Sequence, residues 1–115
     1  MKQAGRESSK RTRTRAASQG ALPNKRAALA DLAAALNNLS NVLVSLGRYE
    51  DALAACAEAV DIRRQLANLH DDSGLSGALN NLSAILNQLG RYEEALAAST
   101  ETVERRRKLV TKAQA

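Results

Sequence analysis

The sequence predicts an all-α chain, two tandem helical hairpins forming a fragment of an α-solenoid, behind a disordered basic N-terminal tail. Three observations carry this. Ala fills 23 and Leu 17 of the 115 positions, while Tyr49 and Tyr92 are the only aromatic residues. Ala and Leu lead the helix-propensity ranking, and the usual strand formers are scarce. Leucines recur at alternating spacings of three and four and are then cut by a glycine, the pattern of short apolar helical stripes. Sliding the chain by 43 residues aligns residues 35–66 with 78–109, and 21 of those 32 positions are identical. A period of that length marks an array in which each unit buries its apolar face on its neighbour.

Residues 1–22 form the expected tail. Residues 1–20 hold almost no large apolar side chain, so burial cannot offset the entropy of ordering them. The net charge of +5 divides unevenly, +7 over residues 1–26 and −2 over the remainder. The run from Lys10 to Arg15 could touch phosphates or direct nuclear import; the plainer expectation is a solvated tail. No apolar stretch follows the early basic residues as a signal peptide requires, and the organelle-transit pattern lacks its apolar face. The longest uninterrupted apolar run, Ala52 to Ala57, is far short of the ~20 residues of a membrane span.

The first hairpin is expected over residues 25–69. Pro23-Asn24 offers a stop and an N-cap. The first helix then carries the stripe Leu29, Leu32, Leu36, Leu39, Leu43 and Leu46, ended by Gly47. Glu50 and Asp51 open the second helix, where negative charge suits the positive end of the helix dipole. Its stripe is Tyr49, Leu53, Cys56, Val60 and Leu66, with Arg63 and Arg64 near the negative end. Asp71-Asp72-Ser73-Gly74 reads as a turn and cap cluster.

The second hairpin, residues 73–110, repeats the scheme. Leu79, Leu82, Leu86 and Leu89 precede Gly90, Glu93-Glu94 open the following helix, and Arg105-Arg106-Arg107-Lys108 lie towards its close. A coiled coil would share the 3–4 spacing, but the glycine breaks and paired repeats favour helical hairpins.

Leu36-Asn37-Asn38-Leu39-Ser40 with Leu79-Asn80-Asn81-Leu82-Ser83, and Leu46-Gly47-Arg48-Tyr49-Glu50 with Leu89-Gly90-Arg91-Tyr92-Glu93, resemble the tetratricopeptide repeat. Aligning Gly47 with the inter-helix glycine of that family puts Leu36, Leu39 and Leu43 on its first-helix packing positions. Tyr49, Ala52 and Ala59 then match its second-helix aromatic and small positions. Ser40 and Ser83 depart from a helix-one glycine, Cys56 and Ser99 from a bulky residue, and Thr102 from the last alanine. No proline closes either unit, so long second helices are expected. The 43-residue period looks more like the longer kinesin-light-chain type, found in tandem in bacterial regulators.

That resemblance implies a scaffold or adaptor that binds a peptide or partner helix in a concave face lined by the first helix of each unit. Carried over by position, Asn37, Asn41, Val44, Asn80, Ala84 and Asn87 are the partner-binding candidates. An asparagine amide can donate to and accept from an extended backbone at once. The same asparagines could instead hold helices together. Lysines that grip a chaperone's terminal carboxylate in some relatives are missing from these positions. The alternative is a nucleic-acid- or anion-associated adaptor working through the basic tail.

Nothing points to catalysis. His70 beside Asp71 and Asp72 lacks an aligned nucleophile or metal, and one Cys with one His cannot supply a structural zinc site. The expectation is therefore a cytoplasmic protein with no cofactor, no metal, no membrane partner and no enzymatic site. Scarce aromatics argue against base-stacking RNA modules. Cys56 reads as a small core residue without a disulfide partner. Two units are fewer than a self-sufficient solenoid usually has, so either a longer array or a homodimer through the exposed ends is expected.

Overall fold

The computed structural model describes residues 21–69, 72 and 74–114, and these form four helices and no strand. They are α1 (Ala21–Ser45), α2 (Tyr49–Asn68), α3 (Leu75–Gln88) and α4 (Tyr92–Gln114). The fold is all-α, with α1/α2 and α3/α4 as its hairpins. Helix α1 starts before Pro23, so Asn24 lies inside the helix and is not its cap. Proline is tolerated in a first turn because its missing amide proton would have had no helical acceptor.

Both hairpin turns close in the same way. Gly47 and Gly90 adopt φ of 75°, a left-handed conformation that glycine reaches without steric cost. The Arg48 amide donates to the Leu43 carbonyl at 2.8 Å and the Gly47 amide to Val44 at 2.9 Å. Arg91 with Leu86 and Gly90 with Asn87 repeat the pattern at 2.9 and 3.1 Å. This pair of bonds satisfies carbonyls that the helix end leaves open. The next helices start with Glu50-Asp51 and Glu93-Glu94 in their first turns. Arg48 pairs with Asp51 and Arg91 with Glu94, both three residues on.

The core lies in three layers along the array. Ala33, Ile62 and Leu66 join α1 to α2, supported by Leu29, Ala30 and Leu36. Val60, Leu75, Ala78, Leu79 and Ala98 tie α2 to the second hairpin. Ala52, Cys56 and Ile85, flanked by Leu43, Val44, Leu53, Leu82 and Leu89, complete the junction. Ala52 is fully buried and Ala95 nearly so, which fits the small-residue positions of the repeat.

The α1 leucine stripe divides. Leu29, Leu36 and Leu43 pack inward, whereas Leu32, Leu39 and Leu46 stay exposed. Residues three apart on a helix are offset by about 60°, so a single partner helix covers only half of such a ridge. Residues 24–45 are long and apolar enough, by length and composition, to cross a membrane. One side of that helix packs along α2, and 11% of the span is buried.

The serine departures are explained by packing. Ser40 and Cys56 are fully buried, and Ser83 and Ser99 occupy the positions 43 residues on. Ser83 and Ser99 share a hydrogen bond, and the Ser83 hydroxyl also reaches the Ala95 carbonyl at 3.2 Å. A serine on the first helix thus fills space that a small residue on the second leaves open.

Candidate functional site

The partner-binding candidates fall into three groups. Asn37 and Asn80 line one cleft of about 330 Å³, together with Ala33, Gly77, Ala78, Asn81, Arg63 and Gly74. Asn41, Ala84 and Asn87 are exposed on α1 and α3 but lie outside that cleft. Val44 is half-buried against the Ala52–Cys56–Ile85 cluster, where its side chain serves packing.

Within the cleft the Asn81 amide donates to the Asn37 side-chain carbonyl at 2.9 Å. This bond joins α1 of one unit to α3 of the next. It leaves the Asn37 amide hydrogens for another acceptor, since a carboxamide offers two donors as well as its oxygen. Asn80 beside it is exposed. The cleft therefore presents donors and acceptors of the kind an extended backbone needs.

Arg63 is the residue that sequence reasoning placed elsewhere. It was expected to complement the α2 dipole, but α2 runs to Asn68 and its last turn holds no basic residue. The dipole acts only within about one turn of the end. Arg63 instead lines the cleft, and its guanidinium occupies the space a Cβ on Gly74 would need, 2.7 Å away. Gly74 also has φ of 86°, and it is this left-handed backbone that calls for glycine, since the Arg63 side chain could swing aside. The spacing of Arg63 from Gly74 in the sequence gives no hint of this contact.

The basic run on α4 is likewise displaced from the helix end. The helix continues to Gln114, and Lys112 is the basic residue of its last turn. Arg105 bonds Glu101 at 3.1 Å and approaches Asp72 at 3.7 Å. Lys108 and Lys112 share with Asp72, Glu101 and Glu104 a cleft of about 570 Å³. Its charge is mixed, which does not suit a simple polyanion.

A second, more apolar groove of about 440 Å³ runs between α2 and α4 over Leu79, Leu82 and Leu86. Arg64 and Glu101 span it with two bonds of 2.7 and 2.8 Å. This contact, with help from Arg105, holds the Glu101 carboxyl down at about 2.

Cys56 is fully buried and its thiol reaches the Ala78 carbonyl at 3.6 Å. Burial pushes the thiol up to about 11, and the adjacent Ser40 lowers it slightly. The Ser40 hydroxyl lies beside the sulfur without reaching normal hydrogen-bond geometry. A neutral buried thiol is a poor nucleophile and a poor metal ligand. Among the described residues no group of three or more His, Cys, Asp or Glu side chains could hold a metal ion. His70, Asp71, Ser73 and the basic run Lys10–Arg15 lie outside the described residues.

A family model described as the tetratricopeptide repeat matches residues 31–108. No curated protein and no solved structure matches the chain.

Proposed function

The chain belongs to the tetratricopeptide repeat family, and we propose that it is a non-catalytic scaffold that holds a peptide or partner helix against the first helices of its units. Repeats of this family mediate protein–protein interaction, and the fold is typically a scaffold. The observation that carries the site is the Asn37–Asn80–Asn81 cleft, which sets the exposed Asn80 carboxamide and the half-buried Asn37–Asn81 pair beside Arg63. Asparagine pairs with peptide backbone, and Arg63 adds a preference for an acidic side chain. Asn41 and Ala84 extend the same surface along α1 and α3; Ala84 gives a bound backbone room for close approach.

The 43-residue period and the long second helices support the longer kinesin-light-chain-like form of the repeat. The single buried, neutral thiol suits a reducing, cytoplasmic setting.

Selection from a random peptide display library, followed by anisotropy titration of a labelled hit, tests the proposal. Asn80→Ala and Asn41→Ala should each weaken binding about tenfold, the loss of one or two backbone hydrogen bonds, without lowering the melting temperature. Binding should change little with added salt, unlike phosphate contacts through a basic tail. Hits that bind both variants as tightly as the parent chain would remove the site from this surface.

A further inference from the structure

The two outer faces of the array carry the same residues, in the same register, as the two sides of its internal junction. On one side of that junction Leu75, Ala78 and Ile85 are buried, with Leu82 and Leu89 half-buried. Forty-three residues earlier, Leu32, Ala35, Leu39, Val42 and Leu46 form the matching row on α1, and all five are exposed. The other side of the junction is Leu53, Cys56 and Val60 on α2. Its counterpart on α4 is Leu96, Ser99 and Val103, where Leu96 and Val103 are exposed.

From this correspondence we infer that the α4 face of one chain docks on the α1 face of a second copy, head to tail, in the register of the internal junction. Val103 then meets Leu32 as Val60 meets Leu75. Ser99 meets Val42 as Cys56 meets Ile85, and Leu96 meets Leu39 and Leu46.

The polar contacts repeat as well, and this complementarity points to a copy of the chain as the occupant. The internal junction is bridged by Arg64 with Glu101 and by Asn37 with Asn81. Their counterparts are Arg107 with Glu58 and Asn80 with Asn38. All four of these side chains are exposed, and neither Arg107 nor Glu58 forms an ion pair among the described residues. A head-to-tail contact pairs Arg107 of one chain with Glu58 of the next, and Asn80 with Asn38. A twofold contact would set α1 against α1 or α4 against α4 and match neither pair.

Two replacements make the new contact weaker than the internal one. Ser99 stands for Cys56, and Asn87 stands for Val44. The faces thus tolerate water and associate reversibly. Because unlike faces meet, the contact does not close at two chains and extends as an open array.

Sedimentation of the full chain over a concentration series tests the inference. The weight-average mass should climb past that of a dimer. Val42→Glu and Leu96→Glu change residues that are 56% and 61% exposed, so helical circular dichroism should persist. Each variant alone should be monomeric, because each has lost one of the two unlike faces. Mixed together they should stop at a dimer, joined through the two intact faces. Glu58→Arg should weaken association about tenfold and Glu58→Arg with Arg107→Glu should restore it, as expected for an exposed ion pair and its like-charge reversal. A parent chain that stays monomeric at millimolar concentration, a single-face variant that still dimerises, or a failed charge rescue would each overturn the head-to-tail register.

Discussion

Arg64 and Glu101 meet in two parallel hydrogen bonds of 2.7 and 2.8 Å, tying the second helix of one unit to the second helix of the next. The pair is partly exposed and spans the groove between α2 and α4. Its energy is therefore modest, and its role is to hold the two hairpins in one register.

The pH dependence follows from this contact. Glu101 lies at about 2 in the folded chain, below its ordinary value of 4.5. A lowered carboxyl contributes stability above its unfolded value, and that contribution fades as pH falls towards the folded one. The parent chain should therefore lose more stability than Glu101→Gln between about pH 5 and pH 2. Urea unfolding at a series of pH values measures it. Parallel profiles for the two proteins would show that the ion pair does not contribute.

Close helix packing predicts the cost of enlarging the small positions. Ala52 is 0% and Ala95 7% exposed, each early in a second helix and facing the first. Ala52→Leu and Ala95→Leu should each destabilise by roughly 1–3 kcal/mol through overpacking. Ala54→Leu, at an exposed position of the same helix, serves as the control and should be nearly neutral. Equal stability of all three variants would contradict the packing described.

Ser40 and Cys56 predict a coupled pair. Cys56→Leu alone should cost roughly 1–3 kcal/mol, because Ser40 occupies the space beside it. Adding Ser40→Gly should recover a large part of that loss, since the glycine makes room for the larger side chain. Chemical denaturation of the two single variants and the double gives the coupling energy. Strict additivity would show that the two side chains do not share one space.

The buried thiol makes a kinetic prediction. With the Cys56 thiol pushed up to about 11 and no path to solvent, Ellman's reagent should react only as fast as the chain opens. Adding urea should accelerate the reaction sharply. Fast labelling of the native chain at neutral pH would contradict the burial.

Helix type, the glycine turns and the acidic helix starts were all legible in the sequence, because each depends on residues within a few positions. The start of α1 lies earlier than Pro23-Asn24 signals, since proline is compatible with a first turn as well as with a boundary. The roles of Arg63 and Arg64 were not legible. Both depend on how far α2 continues and on residues of the second unit, Gly74 and Glu101, that only tertiary packing brings near. Of the six partner-binding candidates, Asn37 and Asn80 share a cleft, whereas Val44 is taken up by the core. Position in a repeat identifies the helix face, but the identity of the residue opposite decides whether that face stays open.

The most direct test of the account is amide chemical-shift mapping with a display-selected peptide. Shifts should concentrate at Asn37, Asn41, Gly77, Asn80 and Ala84, with a further effect at Arg63. Shifts concentrated instead at Leu53, Leu79, Leu82 and Leu86 would place the partner in the groove between α2 and α4 and contradict it.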